Sequence, residues 1–331
     1  TLFPYTTLFR SEIRKNYEGA DYVFYLPADT PSNARRFLDI VHPEIAIFIK
    51  YEFWINLLSE LRRRKVRSYI VSAIFRRNSV FFRPYGAMWR QALETFDTLF
   101  VQNVESKRLL SEIGFDNVVV AGDTRFDRVA QIAAAAQRVE TIERFRGGGR
   151  LFVAGSTWGP DEEILLPLVN ANPDVKFVIA PHEMDEGRIA HLMRDAKGGA
   201  VRYTQCDAAT RFDDVQVLVL DTMGMLSSVY GSATWAYVGG GFGVGIHNTL
   251  EAATFGLPIA FGPNYGKFKE ARDMVSLGCA VSVRTAGELA AWFAPLRDDE
   301  ETLRRASRTA KDYTARNQGA TGIILRSIFN S

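Results

Sequence analysis

Short apolar runs alternate with amphipathic stretches from about residue 21 to the end of the chain. Runs at 22–25, 45–49, 68–72, 98–101 and 118–121 have strand length, and helical or polar sequence intervenes at 33–40, 55–64, 86–94 and 105–113. Such alternation predicts βαβ units, a parallel sheet flanked by helices. Between 138 and 150 the chain becomes charged and then reads Gly147-Gly148-Gly149, with nothing to pack into a core. The alternation restarts at 151–154, 176–180, 215–220, 235–238, 258–261 and 280–283. The expected fold is α/β, two Rossmann-like domains facing a cleft. Residues 12–146 form the first domain and 147–310 the second. By fold analogy, 311–331 form a helix that crosses back to the first. Glycine-rich turns follow several strands, and ligands of open α/β sheets bind at the carboxyl ends of strands.

Length agrees with two domains, since 331 residues at 47% hydrophobic content suffice for two cores of about 150 residues each. The net charge of +2 does not suggest bulk nucleic-acid binding. Cys206 and Cys279 stand apart without metal-ligand spacing, which fits structural thiols in a reducing compartment. No apolar run approaches the roughly 18 residues of a membrane-spanning helix, so a soluble or peripheral chain is expected. Residues 1–11, TLFPYTTLFRS, are what a common sequencing-library adapter encodes when translated from its first base. They are set aside as an artefact, with natural sequence expected from near Glu12.

The densest chemistry lies between Asp221 and Pro263. A strand ending at Asp221-Thr222-Met223-Gly224 precedes a predicted helix whose first amides suit an anionic oxygen. The strand at 235–238 runs into Gly239, Gly240 and Gly241, where backbone can approach a ligand. Asn248 is placed to cap a helix carrying Glu251 one turn on, a carboxylate able to accept from both ribose hydroxyls. The plainer alternative is a tight turn at 239–245 and a capping box between Asn248 and Glu251. The ordered series DTMG, VGG, HNTLEAA and GP resembles the donor half of Kdo (3-deoxy-D-manno-octulosonic acid) transferases, glycosyltransferases of the GT-B fold. YLPAD (25–29), YEFWINLL (51–58), VQN (101–103), AGDTRFD (121–127), GSTWGPDEE (155–163) and NQGA (317–320) extend the resemblance over nearly the whole chain.

The resemblance implies transfer of Kdo from CMP-Kdo onto a lipid A precursor, lipid IVA, with inversion, at the cytoplasmic face of the bacterial inner membrane. CMP-Kdo is the donor substrate, and no cofactor or metal is implied. Three segments would hold CMP. Pro181-His182-Glu183 stands for a Pro-Arg-His pattern whose arginine is absent, and Met223-Gly224-Met225 for Met-Gly-Glu with the glutamate replaced. Asn248-Thr249-Leu250-Glu251 matches Asn-x-x-Glu fully. Ser156 and Thr157 are candidates to reach the donor or to cap the helix carrying Glu162 and Glu163. The family's general base, in a Gly-Glu motif, has no counterpart before Tyr22. It is expected upstream of Glu12, and the chain as given is expected to be inactive without it. Glu52 is the one acid in the 51–58 motif, a candidate catalyst or a group that orients the acceptor or caps its helix.

From 61 to 93 there are nine basic residues and no acidic one, among them Arg76, Arg77, Arg83 and Arg90. Phe75, Phe81, Phe82, Tyr85 and Trp89 are interleaved, a pairing suited to an anionic membrane surface or a phosphorylated lipid. A solvated helix face at 62–67 is the plainer reading, and nucleic acid is the competing anion. Other functional readings are a GT-B enzyme using a UDP-sugar, whether glycosyltransferase or epimerase, and a non-catalytic sugar-nucleotide-binding protein.

Overall fold

A computed structural model describes residues 19–329, so the segment 1–11 and Glu12 lie outside the described residues. The chain forms two compact units, one running to Gly122 and taking in residues from Gly322 onward, the other Asp123–Thr321.

The first unit is built from α1 (Pro31–Val41), β1 (Ile45–Ile49), α2 (Ile55–Arg63), β2 (Arg67–Ala73), a 3-10 turn (Val80–Phe82), α3 (Ala87–Leu93), β3 (Thr98–Val101), α4 (Val104–Ser111) and β4 (Val118–Val120). Its sheet runs β1-β2-β3-β4, wholly parallel. Leu58, Leu61, Ile70, Leu93 and Leu99 fill one face. Side chains of opposite parity, Tyr69 and Val71, meet Ile324 and Ile328 on the other, as strand periodicity requires. The run at 22–25 is not a strand. It has no β partner among the described residues, and Phe24 leans instead on Phe37 of α1 with ring centroids 5.8 Å apart.

The second unit continues with α5 (Thr124–Ala135), α6 (Glu140–Arg146), β5 (Leu151–Thr157), α7 (Gly159–Ala171), β6 (Lys176–Pro181), α8 (Glu186–Asp195), β7 (Ala200–Arg202), a 3-10 turn (Tyr203–Gln205), β8 (Val217–Val219), α9 (Leu226–Tyr230), β9 (Trp235–Val238), α10 (Leu250–Ala253), β10 (Ile259–Phe261), α11 (Lys269–Ser276), β11 (Ala280–Ser282), α12 (Ala286–Asp298) and α13 (Glu300–Arg316). The last helix, α14 (Ala320–Phe329), starts in this unit. The seven parallel strands run β11-β10-β9-β5-β6-β8-β7. Phe152, Phe177, Trp235 and Phe293 form the centre of one core layer. Full burial of one such ring contributes about 3 kcal/mol.

The division at 122/123 corrects the boundary expected in the glycine run. Phe126, Val129, Ile142 and Phe145 are buried in the second unit's core, so α5 and α6 belong there. Gly147 merely ends α6 in the left-handed region at φ 60°. The expected terminal helix 311–331 is likewise divided. Residues up to Arg316 finish α13, whose Ala310 and Tyr313 pack in the second core, and only residues from Gly322 group with the first unit.

Aspartates join segments that are far apart in sequence. The N-cap of α2, Trp54, offers no side-chain acceptor, and the Asp29 carboxylate supplies it, accepting from the amides of Asn56 at 3.0 Å and Leu57 at 2.9 Å. Asp127 does the same at the start of α14, accepting from Gly319 N at 2.6 Å and Thr321 N at 2.7 Å. YLPAD is thereby bonded to YEFWINLL, and AGDTRFD to NQGA.

Glu60, buried on α2, accepts from Arg63 Nε at 2.9 Å and Arg64 Nε at 2.8 Å, and Arg64 also reaches Asp39 of α1. The Arg63 hydrogen bond leads in holding the Glu60 carboxyl at about 2, against an opposing desolvation effect. A lowered folded-state pKa contributes stability that is present above the ordinary glutamate value and lost as pH falls towards the folded one. The urea midpoint advantage of wild type over Glu60→Gln should therefore be full near neutral pH and shrink between pH 4.5 and about 2. An advantage independent of pH over that range would contradict the assignment.

Candidate functional site

In the second unit the chain leaves β5 for β6 on one side, and β9 later joins the other side of β5. Strand order thus reverses between β5 and β9, the place where open parallel sheets leave a crevice at the strands' carboxyl ends. Ser156 and Thr157 end β5 there and Trp158 follows it, His182 follows β6, and Gly239 to Asn248 follow β9.

Asp161 braces this crevice from beneath. Fully buried, it accepts from Trp158 N at 2.9 Å, Tyr237 OH at 2.7 Å and Gly240 N at 2.9 Å, which ties the turn after β5 to the turn after β9. Burial pushes its carboxyl above the ordinary aspartate value against those three bonds. Beside it, buried Glu162 accepts from Thr157 Oγ1 at 2.8 Å and pairs with Arg188 at 2.6 Å. Thr157 is therefore a structural hydroxyl that bonds to the Glu162 side chain, and it caps no helix, since the N-cap of α7 is Trp158. Ser156 is half-buried with φ 54°, a left-handed conformation rare for a residue with a side chain.

The glycines after β9 also answer to packing. A Cβ on Gly240 would stand 2.7 Å from Gly245 O, and one on Gly241 would stand 2.6 Å from the Gly262 backbone. Both are buried, so protein backbone, not a ligand, makes the close approach expected there. Gly224 differs. It is exposed at φ 86°, and a Cβ there would meet nothing.

Around Glu251 the expected residues converge. Its Oε1 accepts from Asn248 Nδ2 at 2.9 Å and its Oε2 from Ser227 Oγ of α9 at 3.0 Å. The segments containing Met223 and Asn248 thus face one another through a half-buried carboxylate. Asn248 does not occupy the cap position itself, which falls to Thr249, and its Oδ1 accepts from Leu250 N at 3.2 Å. The side-chain bond between Asn248 and Glu251 replaces the reciprocal capping box considered for them. Helices α9 and α10 span five and four residues, too short for an appreciable dipole. Thr249 and Leu250 are buried, with Leu250 in the core and Thr249 Oγ1 without a hydrogen-bond partner among the described residues, so neither is a direct contact. Met223 is exposed and Met225 half-buried, while Pro181 is the buried last residue of β6.

Two rings flank the exposed His182, Trp158 with centroids 4.8 Å away and His247 at 4.3 Å. The sequence reading passed over Trp158, His247, Ser227 and Asp161. Three of these lay inside quoted motifs, Trp158 and Asp161 in GSTWGPDEE and His247 in HNTLEAA, where position beside a strand end was the available signal.

In the first unit, Glu52 accepts from Trp54 Nε1 at 2.7 Å and is engaged in its own loop. Phe81 is buried against Phe53 at 4.8 Å and Phe75 at 5.3 Å, and Phe82 is half-buried against Phe75. The expected insertion of Phe81 into a lipid layer is thus corrected, because its ring completes a core. Arg77 pairs with Glu112 at 2.9 Å and Arg76 reaches Tyr51 OH at 3.3 Å, while Arg83 is exposed beside the exposed Tyr85 and Met88. No helix among the described residues is long and apolar enough to cross a membrane.

Comparison with known proteins gives a consistent picture. A family model described as 3-deoxy-D-manno-octulosonic-acid transferase (kdotransferase) matches residues 5–128. The 3-deoxy-D-manno-octulosonic acid transferase of Bordetella pertussis is 27% identical over 314 residues, covering 92% of this chain and 73% of that protein. The enzyme of the same name from Haemophilus influenzae is 23% identical, covering 98% and 78%. Among solved structures, UDP-GlcNAc 2-epimerase from Neisseria meningitidis bound to UDP-GlcNAc superposes with a TM-score of 0.67 at 16% identity, covering 99% of this chain and 90% of that one. At that identity the likeness speaks for the fold, which is GT-B. The family model over the first part of the chain and relatives that cover nearly all of it agree in one likeness, to the Kdo transferases.

Proposed function

We propose that the chain takes Kdo from CMP-Kdo and passes it to a lipid A precursor, lipid IVA, with inversion, at the cytoplasmic face of the inner membrane. The observation that carries this reading is the Glu251 carboxylate, held at one oxygen by Asn248 and at the other by Ser227. A carboxylate has about four acceptor positions, so each oxygen retains capacity for one ribose hydroxyl. The open backbone at Gly224, just ahead of the helix bearing Ser227, suits the phosphate, through amides alone since α9 is so short. His182 and His247 line the same crevice. On the acceptor side, Arg83, Tyr85 and Met88 offer a cation and apolar surface to an anionic lipid.

Titration with CMP, UMP and UDP tests the donor half. CMP should bind about tenfold or more tighter than UMP, the discrimination expected when a site hydrogen-bonds one base edge. A preference for UDP would move the chain to the UDP-sugar enzymes, and transfer of Kdo to a tetra-acylated lipid A precursor, read by mass spectrometry, tests the acceptor.

A further inference from the structure

Trp158, His182 and His247 bring three rings together where β5, β6 and β9 end. Trp158 Nε1 lies 3.2 Å from His247 Nε2. An indole N–H can only donate, so His247 Nε2 offers its lone pair and carries no hydrogen. The proton of the neutral ring then sits on Nδ1, because the bond made by one imidazole nitrogen sets the state of the other. Protonation would turn Nε2 into a second donor facing the indole and break that bond. It would also charge a ring stacked 4.3 Å from another imidazole. Burial, and then the neighbouring His182, hold His247 below the ordinary histidine value.

The backbone fixes the ring as well. The His247 amide donates to Gly239 O at 3.0 Å, and Gly240 leaves room that a Cβ, 2.9 Å from His247 Cδ2, would take. Trp158 is itself fastened through its amide to Asp161. His247 is only half-buried, no protein acceptor takes its Nδ1–H among the described residues, and the next residue is the one that holds Glu251.

We propose that Trp158 locks His247 in the neutral Nδ1–H tautomer and that this N–H binds an anionic oxygen of the nucleotide sugar, either its phosphate or its sugar carboxylate. The inference rests on the nucleotide reading given above. Trp158 is then a positioning residue acting through His247, and His247 is a direct ligand contact. Because the ring is neutral, it keeps the indole bond, and with it its orientation, when the anion arrives.

Nitrogen-15 NMR of the whole labelled chain near neutral pH should show His247 as the Nδ1–H form. Trp158→Phe keeps an aromatic ring but loses the N–H. It should shift His247 largely to the Nε2–H form and weaken CMP binding by about threefold to tenfold. His247→Phe should weaken CMP by about tenfold while leaving cytidine within about twofold. His247→Asn, whose Nδ2 can stand near the place of Nδ1, should recover most of that loss. A loss already present with CMP identifies the phosphate, and one seen only with CMP-Kdo identifies the sugar carboxylate. An Nε2–H or doubly protonated ring in the wild-type chain overturns the lock. Equal losses for CMP and cytidine, or no loss with any ligand, overturn the anion contact. A wild-type chain that binds no cytidine nucleotide overturns the function proposed above together with the ligand half of this inference, and the spectrum alone then decides the tautomer half.

Discussion

Replacing Glu251 by alanine should weaken CMP binding by about thirtyfold to a hundredfold while leaving the second unit folded. The magnitude follows from hydrogen bonds to a charged acceptor, about 2–3 kcal/mol for the pair of ribose hydroxyls once their exchange with water is counted. The carboxylate is half-buried and is held by two neutral side chains, so its removal leaves Asn248 and Ser227 to solvent and not to an apolar core. Calorimetric titration of CMP and 2′-deoxy-CMP gives the sharper reading. Wild type should prefer the ribose form, and Glu251→Ala should bind the two almost alike. A preserved ribose preference in the variant would mean that the hydroxyls are held elsewhere.

Asp161 should give the largest stability effect in the molecule's second unit. Asp161→Ala strands a buried phenol and two backbone amides, at a cost of about 3 kcal/mol or more. For a unit of this size the melting temperature should fall by about 6–12 °C. Asp161→Asn should be far milder. Its Oδ1 can accept from Trp158 N and Gly240 N where one carboxylate oxygen now does, and its Nδ2 can donate to the Tyr237 oxygen. The two variants should also differ from wild type in pH response. A raised folded-state pKa means that the folded chain binds this proton more tightly than the unfolded one. Wild-type stability should therefore decline as pH rises from 3.8 through the folded value, a slope the asparagine variant lacks. If Asn proved as damaging as Ala, the three hydrogen bonds would not be what holds the turn.

Alternating runs made the two α/β units legible, because a strand buried on both faces reads as an apolar run whatever surrounds it. Boundaries were harder. Gly147-Gly148-Gly149 looked like a linker, yet Ile142 and Phe145 just before it are core residues, and composition in a short window does not report what a helix packs against. The run at 22–25 had strand composition, but a strand also needs a neighbour with free backbone groups. The three residues of β7 were too few to stand out.

Within the site, Asn248 and Glu251 were legible because their spacing puts them one helical turn apart. The glycines misled, since Gly240 and Gly241 would look the same whether a ligand or a neighbouring turn pressed on them. Phe81 misled for a related reason. A ring among arginines suggests an interface until Phe53 and Phe75 are seen around it. His247 and Trp158 were invisible because their pairing spans 89 positions.

The bonds from Asp127 to Gly319 and Thr321 span 192 and 194 positions and close the second unit with its own last residues. During synthesis, α5 therefore emerges from the ribosome long before the amides it must cap exist. Until then the carboxylate near the unit's beginning has only water or a transient partner. Completion of this unit thus waits until residues 319–321 have left the ribosome, because contacts of such long range cannot form before both ends are free.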